Sequence, residues 1–160
     1  MVSQADEKRS ILMKVFVVDD SRLVRQRIIE MISELRGVEI SGQAERAREA
    51  VASIKKSNPD VVILDIRLPG GNGIEVLKDI KKNKSAPIII ILTNYPYPQY
   101  KKKCMESGAD FFFDKSTEFH KVNEVLEKLI KKFEAKENLS AKKRKQTTRS
   151  GKKRQIACKC

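Results

Sequence analysis

Residues Val61–Pro69 read VVILDIRLP, and this stretch decides the fold. Four apolar residues run without interruption into Asp65, and Pro69 with the following Gly70-Gly71 ends the run. A continuous apolar run is typical of a strand buried on both faces, as in a parallel sheet with helices on either side. Ligands of such open sheets bind beyond the carboxyl ends of the strands. Asp65 therefore stands where a ligand site is expected.

Four further segments have the pattern of strands, and a helical pattern follows each of the five. Besides the Asp65 strand, the predicted strands are Ile11–Val18, Val38–Gln43, Ile88–Leu92 and Asp110–Lys115. The predicted helices run from Ser21 to Gly37, over Arg46–Lys56, from Asn72 to Asn83, over Gln99–Ser107 and over Glu118–Phe133. Strict alternation of this kind predicts an α/β fold, a three-layer doubly wound sandwich around a five-stranded parallel sheet with right-handed crossovers.

The positive charge is concentrated at the carboxyl end of the chain. The formal net charge is +13, from 34 basic and 21 acidic residues. Nine of the basic residues and none of the acidic ones lie in Asn138–Cys160, which leaves residues 1–137 with a net charge of only +4. Apolar periodicity also stops beyond Ala135, so we expect this basic segment to be disordered when free.

The cysteines and the amino terminus indicate the cellular compartment of the protein. Cys104, Cys158 and Cys160 form an odd set without a disulfide pattern, and Met1–Ser10 lacks the apolar core of a secretory signal. No apolar run approaches the length that a membrane-spanning helix needs. We therefore expect a protein of the reducing cytoplasm.

Polar side chains follow four of the predicted strands. Asp19 and Asp20 follow the first strand, Asp65 the third, Thr93 the fourth and Lys115 the fifth. In a parallel sheet all of them emerge at one edge. Three neighbouring carboxylates repel one another unless a cation lies among them, and oxygen ligands of this kind favour Mg²⁺. With an ammonium and a hydroxyl beside the metal, the site suits a phosphoryl group, with Asp65 as the nucleophile that forms an acyl phosphate.

The motifs at these positions resemble the receiver domain of two-component response regulators, in particular single-domain receivers like the chemotaxis regulator. The resemblance covers Met13–Phe133 and rests on Asp19-Asp20-Ser21, Asp65 with Pro69 and Gly73, Thr93 after an apolar strand, and Ser107-Gly108-Ala109-Asp110 ahead of Lys115. It implies a flavodoxin-like fold. On this basis we assign a flexible amino terminus to residues 1–11, a receiver domain to 12–135 and a basic disordered tail to 136–160.

The resemblance also implies roles for individual residues. Asp65 would accept a phosphoryl group from a phosphohistidine on a sensor histidine kinase or a phosphotransfer protein. Asp19, Asp20, Asp65 and the backbone carbonyl of Arg67 would hold Mg²⁺. Thr93 and Lys115 would contact the phosphoryl oxygens.

A switch is implied as well. Thr93 and Phe112 match the positions that move on phosphorylation, which would change the surface of the fourth helix, fifth strand and fifth helix. Two features depart from the family pattern. Ser116 stands where the family usually has a proline, and Tyr95-Pro96-Tyr97-Pro98 forms an aromatic, stiff version of a loop that usually moves.

We expect a signalling module rather than an enzyme. The segment after Phe133 has too little apolar periodicity for a DNA-binding domain, so output is expected through contact with another protein. Two alternatives stay open. One is a metal-dependent phosphohydrolase of the haloacid dehalogenase type, although those enzymes place two aspartates one residue apart where Asp19 and Asp20 are adjacent. The other is a basic polyanion-binding protein with a degenerate receiver.

The basic tail is either a solvated segment, a docking segment that folds on a partner, or a weak binder of polyanions such as nucleic acid or an anionic membrane surface. It lacks aromatic residues, so base stacking is not indicated, and any nucleic-acid binding should be salt-sensitive and independent of sequence. The candidate residues are Lys142, Lys143, Arg144, Lys145, Lys152, Lys153 and Arg154.

Overall fold

The computed structural model describes the backbone of residues 11–152 and the side chains of residues 11–146. The predicted flexible amino terminus, apart from Ile11, and the last eight residues of the predicted tail lie outside the described residues. The described part contains a five-stranded parallel sheet. Its strands are β1 (Met13–Val18), β2 (Val38–Ala44), β3 (Val61–Leu64), β6 (Ile88–Thr93) and β7 (Phe111–Asp114), and they lie side by side in the order β2-β1-β3-β6-β7.

A helix connects each strand of the sheet to the next. The helices are α1 (Arg22–Ser33), α2 (Ala47–Ser57), α3 (Gly73–Lys81), α4 (Pro98–Glu106) and α5 (Phe119–Lys152). A short antiparallel hairpin of β4 (Arg67–Leu68) and β5 (Gly71–Asn72) follows β3, which the sequence did not predict. The chain moves from the centre to one edge of the sheet and then to the other, so the predicted doubly wound, flavodoxin-like α/β fold is confirmed.

Alternate residues of each strand point into one of two cores. On β3, Val62 and Leu64 pack with α2 and α3, whereas Val61 and Ile63 pack with α1 and α5. All four are buried. This explains why the strand is apolar at every position: both of its faces are covered by helices.

Two helices begin with the side-chain caps that their sequences indicate. The Ser21 hydroxyl accepts a hydrogen bond from the Val24 N–H (3.3 Å), and Asn72 Oδ1 accepts one from the Ile74 N–H (2.7 Å). Helix α1 differs from its apolar pattern at Leu23, which is 79% exposed. The apolar stripe of α1 therefore begins at Val24 and continues through Ile28.

Helix α5 corrects the prediction for the tail. We expected disorder from residue 136, yet α5 continues through the predicted domain boundary to Lys152. Disorder was inferred from the loss of apolar periodicity, but a helix also forms where intrinsic propensity is high. The segment after Ala135 is rich in lysine and arginine, which favour helix, and contains neither proline nor, before Gly151, glycine. Within the described part of the chain, none of the helices is long and apolar enough to cross a membrane.

Candidate functional site

The predicted site residues meet at the carboxyl edge of the sheet. Asp19 and Asp20 follow β1, Asp65 follows β3, Thr93 ends β6 and Lys115 follows β7, and these four strands are neighbours. Backbone hydrogen bonds fix the alignment, because the Asp65 N–H donates to the Val18 carbonyl and the Lys115 N–H donates to the Thr93 carbonyl, both at 2.9 Å.

The three aspartates form one cluster. A carboxylate oxygen of each of Asp19, Asp20 and Asp65 lies within 4.8 Å of the other two. Asp19 and Asp65 are buried, at 2% and 4% exposure, whereas Asp20 is exposed to solvent. The Lys115 ammonium pairs with Asp19 Oδ2 and lies 2.8 Å from Asp65 Oδ2. One lysine therefore joins the carboxylates that follow β1 and β3.

Burial and charge act against each other at this cluster. Burial raises the pKa of Asp19, and the hydrogen bond and charge of Lys115 offset this only in part. Burial by itself would lower the pKa of Lys115, but the hydrogen bonds and charges of Asp19 and Asp65 together raise it. The ammonium is thus held in its charged form between the two buried carboxylates.

The fit of the site to Mg²⁺ is judged from a buried carboxylate oxygen that accepts no hydrogen bond. Asp65 Oδ1 is buried and has no hydrogen-bond partner among the described residues. Leaving a buried acceptor unpaired costs about 1–3 kcal/mol, and more for a charged group. A hard cation or a phosphoryl group would satisfy this oxygen, and the Asp19 and Asp20 carboxylates lie within reach of the same cation. The donor set therefore fits Mg²⁺, while the Arg67 carbonyl stays a predicted ligand.

Thr93 is fully buried at the end of β6. Its Oγ1 accepts a hydrogen bond from the Tyr95 N–H at 3.1 Å. Because the hydroxyl acts as acceptor in this bond, its own hydrogen is available to a phosphoryl oxygen. Phe112 is 8% exposed and packs in the core on the α2–α3 side of the sheet. The phosphoryl-binding and switch roles of Thr93, Lys115 and Phe112 stay predictions.

Hydrogen bonds hold the loop that follows Lys115, where Ser116 replaces the usual proline. The Ser116 N–H and hydroxyl both donate to Asp114 Oδ1, at 2.8 and 2.6 Å. These bonds lower the pKa of Asp114. The Asp114 N–H donates to Glu118 Oε2 (3.0 Å), and the Glu118 N–H donates back to the Asp114 carbonyl (2.8 Å). Lys115 is therefore flanked by a bonded turn that a proline, lacking an N–H, would not form.

Two loops meet beside the site through Arg67 and Tyr95. The Arg67 guanidinium lies over the Tyr95 ring, 3.9 Å from its centroid. Tyr95 also contacts Tyr97, which in turn contacts Tyr100, with ring centroids 6.5 and 5.9 Å apart. The Tyr95–Pro98 loop is thus packed by its own aromatic rings, and Pro98 is the first residue of α4 rather than part of the loop.

Sequence reasoning missed Arg25. Its guanidinium is buried and donates from Nη1 to the Asp19 carbonyl (2.7 Å) and from Nε to Gln43 Oε1 (3.0 Å). Its Nη2 also lies 3.6 Å from Glu45. Arg25 thus ties the segment that carries Asp19 to the end of β2. The sequence signal that could have predicted its burial is its position three residues before Ile28, on the apolar stripe of α1.

The predicted tail residues lie apart from this cluster. Lys142, Lys143, Arg144 and Lys145 are exposed positions of α5. Lys152 is the last described residue of that helix, and Lys153 and Arg154 lie outside the described residues.

Comparisons with known proteins agree with the geometry. Residues 15–127 match the family described as "Response regulator receiver domain". The sensory transduction protein LytT of Bacillus anthracis is 33% identical over 120 residues, which are 75% of this chain and 48% of LytT. The chain thus spans about half the length of this curated relative.

Solved structures show the same fold. The response regulator domain of CheB from Thermotoga maritima has a TM-score of 0.67 and 28% identity, covering 78% of this chain and 97% of that one. The CheX-CheY-BeF3-Mg+2 complex from Borrelia burgdorferi contains a chain with a TM-score of 0.62 and 28% identity, covering 71% of this chain and 89% of that one. Since the family match spans most of the sheet and includes all five residues at its carboxyl edge, the chain belongs to the response regulator receiver domain family.

Proposed function

We propose that this receiver domain is a phospho-acceptor signalling module in which Asp65 takes up a phosphoryl group. The observation that carries the proposal is the state of the Asp65 carboxylate. Its Oδ2 is bonded to Lys115 at 2.8 Å, and its buried Oδ1 has no partner among the described residues. A buried carboxylate with one neutralised and one free oxygen is suited to act as a nucleophile.

In the proposed reaction a phosphoryl group is transferred from a histidine nitrogen of the donor to a carboxylate oxygen of Asp65. A carboxylate oxygen of Asp65 attacks the phosphorus of a phosphohistidine, a P–O bond forms and the P–N bond breaks. The electron pair of the broken bond stays with the imidazole nitrogen of the donor. Lys115, which pairs with Asp65 Oδ2, would pair with a phosphoryl oxygen, and the Thr93 hydroxyl would donate to another.

Mg²⁺ is the proposed cofactor. The carboxylates of Asp19, Asp20 and Asp65, with the Arg67 carbonyl, would hold it. When bound it supplies positive charge that offsets the charge of the phosphoryl oxygens. The BeF3 and Mg²⁺ in the similar CheX-CheY complex support this choice.

The proposed donors are a sensor histidine kinase or a phosphotransfer protein, in the cytoplasm. We propose that Thr93 and Phe112 then shift the surface of α4, β7 and α5, and that another protein reads the change. To move such an equilibrium from mostly one state to mostly the other, phosphorylation must favour one state by roughly 5 kcal/mol. That output proceeds without a DNA-binding domain stays a prediction.

We propose an acceptor rather than an enzyme. The phosphohydrolase alternative gains no support from the spacing of the aspartates, because Asp19 and Asp20 are adjacent whereas those enzymes place two aspartates one residue apart. The degenerate-receiver alternative predicts that Asp65 does not take up phosphate. Uptake of phosphate by Asp65 therefore separates the degenerate receiver from a phospho-acceptor.

The test incubates the full chain with Mg²⁺ and acetyl phosphate and measures intact mass. We expect one added phosphoryl group, stable in acid and lost in base, in the wild type and in the control Asp79→Asn. Asp79 is a partly exposed aspartate of α3 that pairs with Lys82. The Asp65→Asn variant should gain none, and omission of Mg²⁺ should abolish the adduct. A wild type without an adduct, or an adduct that survives Asp65→Asn, would refute the proposal.

A further inference from the structure

The far half of α5 is a charged surface that the phosphoryl site does not use. Val122, Leu126 and Ile130 bury the first half of the helix against the sheet. From Asn138 to Gln146 every side chain is exposed. The sequence from Asn138 onward contains nine basic and no acidic residues. An exposed helical segment that carries only positive charge attracts polyanions.

The arrangement of the charges narrows the choice of polyanion. Lys142, Lys143, Arg144 and Lys145 are consecutive, and successive residues of an α-helix are turned by about 100°. The four side chains therefore surround the helix rather than forming one face. A helix in the major groove of B-form DNA has a phosphate backbone on each side, and the groove, about 12 Å wide, admits a helix.

Other polyanions fit less well. An interfacial helix binds a membrane through an apolar face as well as through its charge, and the only large apolar residue from Asn138 to Gln146 is Leu139. Single-stranded nucleic acid is bound by stacking on aromatic side chains, and the sequence has none after Phe133. Double-stranded RNA has a major groove too deep and narrow for side chains to read.

We infer that the exposed part of α5 binds double-stranded DNA through its phosphates, without sequence preference. Neighbouring cations on the helix, such as Lys142 and Lys145 at i and i+3, repel each other by a few tenths of a kcal/mol. Phosphates along both sides remove that repulsion, so binding also stabilises the helix. This inference does not depend on phosphate uptake by Asp65.

The test measures binding of the full chain to a short fluorescein-labelled DNA duplex by anisotropy over a range of salt concentrations. The tail variant replaces Lys142, Lys143, Arg144 and Lys145 by glutamine, which preserves helix propensity. The control variant replaces four exposed lysines of the receiver domain by glutamine, so its net charge equals that of the tail variant. These lysines are Lys55, Lys56, Lys78 and Lys84. Circular dichroism verifies that both variants are folded.

We expect the tail variant to lose at least about tenfold in affinity and the slope of log K against log salt to become shallower by about 2–4, since each phosphate contact contributes about 0.9. The control should stay within about threefold of the wild type. The inference is overturned if the wild type does not bind the duplex, or if the tail and control variants weaken equally. It is also overturned if phosphatidylserine vesicles, a single strand or an RNA duplex binds as tightly as DNA.

Discussion

The carbonyl oxygen of Asp65 lies only 2.0 Å from the position that a Cβ atom on Gly73 would occupy. Gly73 is the first residue of α3, and its N–H donates to the Ile66 carbonyl at 2.6 Å. The start of α3 is therefore pressed against the backbone that carries the proposed phospho-acceptor, and only a residue without a side chain fits there.

Replacing Gly73 by alanine should therefore displace Asp65. Alanine is normally the better helix former, but the clash with backbone cannot be relieved by a rotamer change. We expect a loss of about 2 kcal/mol in the free energy of unfolding, measured in urea, and weaker Mg²⁺ binding, measured by calorimetry. Gly70→Ala is the control, because its Cβ meets nothing within 4 Å and its cost comes from a φ of +74°. That variant should lose stability and retain Mg²⁺ affinity.

The turn around Asp114 should position Lys115. Asp114→Ala removes the acceptor of both Ser116 hydrogen bonds, whereas Asp114→Asn retains an oxygen at Oδ1. We expect alanine to slow phosphorylation by acetyl phosphate about three- to tenfold and asparagine to restore most of the rate. In a Lys115→Ala background the Asp114→Ala change should have little further effect, since the turn acts through that lysine. Equal slowing in both backgrounds would show a role independent of Lys115.

Arg25 should stabilise the segment that carries Asp19. Arg25→Met leaves the Asp19 carbonyl without its 2.7 Å hydrogen bond, and Arg25→Lys cannot reach several partners with one ammonium. We expect both to lower the free energy of unfolding, methionine by about 1–3 kcal/mol, and to weaken Mg²⁺ binding. Arg22, exposed on the same helix, gives the control Arg22→Met, which should change stability by less than about 0.5 kcal/mol.

Cys104 should be unreactive in the folded protein. It is fully buried, and burial raises the pKa of its thiol from 9.0 to about 11 despite the charge of Lys103. In a variant with Cys158 and Cys160 replaced by serine, alkylation at pH 8 should be at least about 100-fold slower when folded than in urea. A folded protein labelled as fast as the unfolded one would contradict the burial of this thiol.

The raised pKa of the Cys104 thiol also makes the stability of the fold depend on pH. Between pH 9 and 11 the unfolded chain loses the thiol proton that the folded chain retains, so the free energy of unfolding falls as pH rises. The contribution of Cys104 to the free energy of unfolding should be complete below pH 9 and smaller by about 1 kcal/mol at pH 10. Urea unfolding at pH 8 and pH 10, compared with the same measurements on Cys104→Ala, isolates this contribution.

The sequence predicted the features that depend on local pattern. The apolar run before Asp65 and the alternation of strand and helix patterns were sufficient for the sheet. Because parallel strands end at one edge, the convergence of Asp19, Asp65 and Lys115 followed from their positions alone. The prediction did not require knowledge of any side-chain contact.

Features that depend on packing between distant segments were not predicted. The pairing of Lys115 with Asp19 and Asp65, and the contact of Arg67 with Tyr95, depend on side-chain conformations that no spacing reveals. The helical tail was missed for a different reason. Disorder was inferred because apolar periodicity stops after Ala135, yet intrinsic helix propensity and continuity with a packed helix are sufficient to extend α5.

The continuity of α5 has a mechanical consequence. The helix begins four residues after Lys115, is anchored on the sheet through Leu126 and Ile130, and projects about 22 Å from Asn138 to Lys152. It therefore has the geometry of a lever arm. A tilt of about 10° in the anchored half would move Lys152 through about 4 Å. A small rearrangement at the carboxyl edge of the sheet that tilted α5 would thereby be amplified at the distal end of the described helix.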